Sequence, residues 1–142
     1  MRDGNADLVS AAFDAWNRRD LEALLALCEP DVEVRSLMTE AERASYGGAR
    51  GVSDWLAAVI DVFPDWRPVA GRVDDYGDAL VVSFHVNATA RESGIPIDQD
   101  YWLAARLSEA GRLRFWGFFR TEEHAREAAG VQGYGRPISS TR

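Results

Sequence analysis

One cysteine, Cys28, stands in the 142 residues, so no disulfide can form within the chain. Its position on the inner stripe of an apolar helix marks a buried structural thiol. No apolar run reaches the ~18 residues of a membrane span. No signal peptide is recognisable at the start. Basic residues are outnumbered, 16 against 23 acids, for a net charge of −7. Nucleic acid needs a basic face to meet its phosphates, so it is excluded as a partner, and anionic membranes are disfavoured. The expected location is the cytoplasm, with the acidity keeping the protein dispersed. Only two histidines occur. His85, His124 and Cys28 show no metal-ligand spacing, and the acids lie in no calcium-type loop, so neither metal nor cofactor is expected. Gly47-Gly48-Ala49-Arg50-Gly51 lacks the Lys-Ser/Thr of a phosphate-cradling loop. No defensible Ser-His-acid order is present.

Aromatic residues, by contrast, are plentiful: five Trp, four Tyr and six Phe. The length suits one domain, long enough to bury a core without staples. Leu8, Ala12 and Trp16 repeat at helical spacing behind a cap at Asp7. Asn17-Arg18-Arg19-Asp20 then breaks the pattern. Asp20 can cap a second helix through Leu21, Leu24 and Leu25, with Glu22 in its first turn. A strand follows at about 31–37. Residues 38–49 read as a loop or short helix over a pocket mouth. A third helix at about 52–63 carries Val52, Trp55, Leu56 and Val59 on one stripe and ends at Pro64-Asp65.

Four strands come next, at about 66–75, 79–90, 98–108 and 112–120. In the second of them Leu80, Val82, Phe84 and Val86 alternate with Ser83 and His85, which puts His85 on the outward face. Ser108-Glu109-Ala110-Gly111 turns the last hairpin. Thr121 caps a short final helix closed by Gly130. The fold class is therefore α+β: a cone-shaped, curved antiparallel sheet wrapped around three N-terminal helices, with a short C-terminal helix. One domain spans 1–130, and 131–142 reads as a flexible tail.

Asn17 to Val34, Arg50-Gly51, Phe63-Pro64-Asp65, Tyr76-Gly77-Asp78-Ala79-Leu80-Val81, and Gly111-Arg112-Leu113 leading to Trp116 occur in an order that resembles one family. It is the SnoaL-like polyketide cyclase and ketosteroid isomerase branch of the nuclear-transport-factor-2-like superfamily. The resemblance runs over about residues 7–130. It implies a conical small-molecule pocket and a homodimer through the outer sheet face. It also locates the family's chemistry, which depends on a carboxyl tuned by an apolar wall. The isomerase tyrosine position holds Ala12, and the base position holds Ser36. The third position is Leu103 counted back from Gly111, or Asp98 counted forward through Ile95-Pro96-Ile97. The cyclase acid, four residues after Trp116, is Arg120. The epoxide-hydrolase set is missing as well, with Ser83 and His85 on the relevant strand. Standard ketosteroid isomerase and epoxide hydrolase activities are thus not expected.

Trp16, Trp55, Phe84, Trp116 and Phe118 fall on inward faces, and Tyr46 lies on the mouth loop. Together they suit a flat apolar ring ligand with one polar handle, or else they fill the cone as core. Ser36, Asp98, Leu103 and Arg120 complete the candidate ligand set. Arg120 either anchors an anionic or carbonyl group or reaches solvent and pairs with Glu122 or Glu123. Asp98 and Asp100 share a strand face, as an acid–base pair or as a solvated one. The expected function is a pocket protein for a small apolar, ring-containing ligand, with catalysis left open; if it is an enzyme, the chemistry is isomerase- or cyclase-type proton transfer by a non-standard residue set. The alternative is a non-catalytic ligand-binding or dimerisation module.

Overall fold

The corner after the first helix shows how the sequence sets the architecture. In the computed structural model, which describes residues 4–35, 45–133 and the backbone of 136–138, helix α1 (Gly4–Arg18) is followed by α2 (Leu21–Ala26). Asn17 Nδ2 donates to the Phe13 carbonyl and, across the fold, to that of Pro68. Arg19 turns the chain at φ 57°, a region unfavourable for any side chain with a Cβ. Its guanidinium holds the carbonyls of Trp16 at 2.9 Å and Trp66 at 2.6 Å and lies over the Trp66 ring. Asp20 Oδ1 accepts from Ala23 N at 3.0 Å and caps α2. The polar run between the two apolar helices is therefore a clamp that ties α1 to the Trp66 segment.

The chain continues through β1 (Cys28–Arg35), β2 (Ser45–Gly47), α3 (Gly48–Val62), β3 (Pro68–Asp75), β4 (Ala79–Thr89), β5 (Pro96–Leu107), β6 (Leu113–Phe119), α4 (Glu122–Ala129) and β7 (Arg136–Ile138). The strands form one sheet in the order β2-β1-β6-β5-β4-β3-β7. All pairings are antiparallel except β1–β6, which is parallel. A parallel neighbour needs a crossover connection, and α3 with the following meander supplies it. Residues 45–47, expected in the mouth loop, pair with β1 as β2. Residues 136–138, within the stretch read as a tail, add a strand beside β3.

The inner sheet face packs on α1 and α3. Leu80, Val82 and Phe84 of β4, Leu103 of β5 and Trp116 of β6 point there. The outer face carries Ala79, Val81, Ala104, Phe115 and Phe119, covered by Ala125 and Ala129 of α4. That cover explains why the first four residues of β4 are all buried before the alternation begins. Thr121 Oγ1 caps α4 by accepting from His124 N, and Gly130 closes it at φ 74°. Gly51 matters for placement. A Cβ there would stand 2.7 Å from the Tyr46 carbonyl carbon, so only glycine lets β2 lie against the first turn of α3.

Candidate functional site

Inside the cone the aromatic rings meet one another. Trp16 touches Trp55, Trp116 and Phe118 at centroid distances of 6.2, 5.7 and 5.5 Å. Trp55 also meets Trp66 at 6.0 Å and Trp116 at 5.6 Å. Phe118 extends the cluster to Phe84 at 4.9 Å, and Phe84 stacks on Tyr101 at 5.8 Å. Most contacts are edge-to-face, the arrangement ring quadrupoles favour. The four indoles are each at most 1% exposed.

Buried indoles usually hydrogen-bond. Here the Nε1–H groups of Trp16, Trp55, Trp66 and Trp116 are all buried with no hydrogen-bond acceptor among the described residues. Four such donors in one ring cluster define the most unusual chemistry of the interior. Proton-transfer groups are scarce beside them. The only buried charged side chain among the described residues is Asp74, which pairs with Arg72 at 3.0 Å and approaches Arg126 of α4 at 4.0 Å. Asp74 therefore serves the outer face. Cys28 is buried, donates to the Leu24 carbonyl at 3.3 Å, and burial pushes its thiol up to about 12. That makes it a packing residue, not a nucleophile.

Of the residues singled out from sequence, Trp16, Trp55, Phe84, Trp116 and Phe118 come together in this cluster. Tyr46 is half-buried against the same core. Leu103 and Asp98 lie on opposite faces of β5. Leu103 pairs with Val82 and points inward, whereas Asp98 pairs with Asn87 and points outward, 70% exposed. The two positions are five apart in sequence, and an odd step reverses the face. Arg120 is exposed just beyond β6 and forms no ion pair with Glu122 or Glu123. Ser36 lies outside the described residues.

Outside the cone, His85 is gripped by both acids of the next strand. Its Nδ1 is 2.8 Å from Asp100 Oδ1, and its Nε2 bonds to Asp98 Oδ1. The hydrogen bonds to Asp100 and Asp98 raise its pKa above 6.5. Asp98 and Asp100 are thus partners of a histidine on the outer face. Three cluster members were missed: Phe13, Trp66 and Tyr101. Phe13 follows Ala12 and precedes Trp16 by three, a helical spacing that could have revealed it. Tyr101 shares the parity of Leu103. Trp66 sits between α3 and β3, where no periodicity operates.

The fold is thus an α+β cone whose interior is filled with touching aromatic rings. The SnoaL-like domain family matches residues 9–123, and this chain belongs to that family. No curated protein matches it. Solved structures of similar fold include an NTF2-like protein of unknown function from Burkholderia pseudomallei, with TM-score 0.75 and 19% identity, covering 92% of this chain and 100% of that one. TerC, co-crystallized with polyporic acid, has TM-score 0.73 and 20% identity over 90% of this chain and 99% of its own. A Mycobacterium tuberculosis protein in complex with estradiol-17beta-hemisuccinate has TM-score 0.69 and 12% identity over 83% and 94%.

Proposed function

We propose that this SnoaL-like domain binds a small, apolar, ring-containing compound at the aromatic cluster, without transforming it. The observation that carries this reading is the set of four buried indole N–H donors without acceptors. Leaving a buried donor unmade costs about 1–3 kcal/mol, so a guest that offers acceptor atoms gains from each one it satisfies. Two relatives of similar fold are in complex with small organic molecules, polyporic acid and an estradiol ester. The rings touch across the cone, so a guest enters by turning one or more indoles aside. Non-catalytic binding is favoured over proton transfer because the aromatic cluster has no carboxyl or imidazole among the described residues, and the inner-face carboxyl of Asp75 on β3 already accepts from Asn5 Nδ2 and Gly77 N, each at 2.8 Å.

A second reading has its own support. Edge-to-face contacts such as Trp55 on Trp66, at an interplanar angle of 90°, can use ring faces as weak acceptors for N–H groups. The cluster is then simply core, and the chain works through its outer surface as a dimerisation module. One experiment separates the two. Indole fluorescence and the indole ¹⁵N–¹H resonances are followed during titration with a panel of polycyclic ketones and quinones. Saturable quenching with movement of several indole N–H signals is expected. Indole resonances that no ligand moves, in a protein that sediments as a tight dimer, would establish the second reading instead.

A further inference from the structure

The C-terminal end of β6 and the facing part of β5 add a polar pair that the aromatic cluster does not use. Tyr101 is buried at 4% exposure, with its ring stacked on Phe84. Its hydroxyl has no hydrogen-bond partner among the described residues. Trp102 faces Phe119 across the β5–β6 ladder, so the next step of that register brings Tyr101 beside Arg120. Arg120 is exposed and likewise has no hydrogen bond or ion pair among the described residues, although Glu122 and Glu123 follow closely in sequence. The two groups are electrostatically coupled: burial raises the Tyr101 phenol above 10.0, and the Arg120 charge opposes that rise. A guanidinium only donates, in a fork that matches two oxygens, and a phenol can donate a third bond.

We propose that Tyr101 and Arg120 form the polar end of the ligand site and select ring compounds that carry an anionic oxygen group, a carboxylate or an ionised enol. The ring system lies toward Phe84 and Phe118, and its charged end stays at the rim, where Arg120 meets water. This rests on the ring-binding reading and adds to it the class of ligand. Arg120 at the rim keeps its hydration until it is engaged, so the anion is recognised without burying an unpaired charge.

The test compares 2-naphthoate with its methyl ester, followed by indole quenching in the full chain. Wild-type protein is expected to bind the acid about tenfold or more tightly than the ester, the size of a charge-assisted hydrogen bond. Arg120→Gln should reduce that preference to about twofold or less. Tyr101→Phe should weaken the acid severalfold and leave the ester unchanged. Both variants alter one polar group, so circular dichroism and the affinity for the ester report whether the fold persists. Acid and ester bound equally by the wild type, or a preference that survives Arg120→Gln, overturns the anion site and leaves ring binding standing. If neither probe, nor anthracene-sized and steroid-sized pairs of acid and ester, quenches the tryptophans, ring binding and the anion site fall together.

Discussion

The two faces of the sheet treat their polar groups in opposite ways. On the outer face the buried acid and the histidine are matched. Asp74 lies against Arg72 and Arg126, Arg126 also pairs with Glu122, and His85 sits between Asp98 and Asp100. On the inner face four indole N–H groups find no acceptor among the described residues, and at the edge of that face Tyr101 and Arg120 have no hydrogen bond or ion pair among them. Matched groups fix structure, and once made they have little capacity left for a ligand. Unmatched donors reduce stability and keep their capacity for a partner from outside. The proposed binding therefore draws on the unmatched inner groups, and the matched outer groups serve the architecture, although most charged residues lie outside.

The largest effect that can break this contrast comes from the interior. Trp116→Ala should lose about 3–5 kcal/mol of stability in urea unfolding, the usual result of emptying a large buried ring site. Trp116→Phe should lose under about 1.5 kcal/mol, because the lost ring area is offset by removal of an unpartnered donor. If Phe proves nearly as damaging as Ala, the indole N–H is contributing a bond, and the inner face is no less matched than the outer. Next in size is Asp74→Ala, expected to lose about 2–3 kcal/mol by leaving the half-hidden Arg126 short of a carboxylate. A loss as small as that of an exposed ion pair would mean that α4 is held by Ala125 and Ala129 alone.

How far the sequence discloses these faces depends on which signal acts where. Alternation in β4 separates Phe84 from His85 and needs no tertiary information. Local chemistry discloses the caps at Asp20 and Thr121 and the glycine at 130. Arg19 is different. Its residue type does not announce a left-handed turn, and its carbonyl partners on Trp66 and Pro64 lie more than 40 residues away. Trp66 was invisible as a site residue for the same reason, since what seats it is Arg19 and not a periodic stripe. The Asp98–Leu103 ambiguity was one of register. Only the pairing Val82↔Leu103 decides which of the two enters the cone. That the rings would touch each other depends on side-chain volumes in three dimensions, which a one-dimensional pattern does not carry.

The smallest expected effect belongs to His85, and it tests whether the outer face is matched through charge or only through hydrogen bonds. The imidazole is exposed on the sheet surface and held by Asp100 and Asp98, and those bonds raise its pKa above 6.5 in the folded chain. A group raised on folding binds more protons in the native state than in the unfolded one, so the stability it contributes falls as pH rises. The contribution is complete below the ordinary value of 6.5 and disappears as pH passes upward through the raised value. Thermal midpoints of the wild type and of His85→Gln, measured from about pH 5.5 to about pH 9, should therefore differ most at the acidic end, with the wild type higher, and converge at the alkaline end. The gap should narrow in high salt, because the three side chains are open to solvent. A gap that stays constant across the range would show that the histidine is held neutral, its carboxylate neighbours acting as plain hydrogen-bond acceptors. The outer face would then owe its matching to geometry alone.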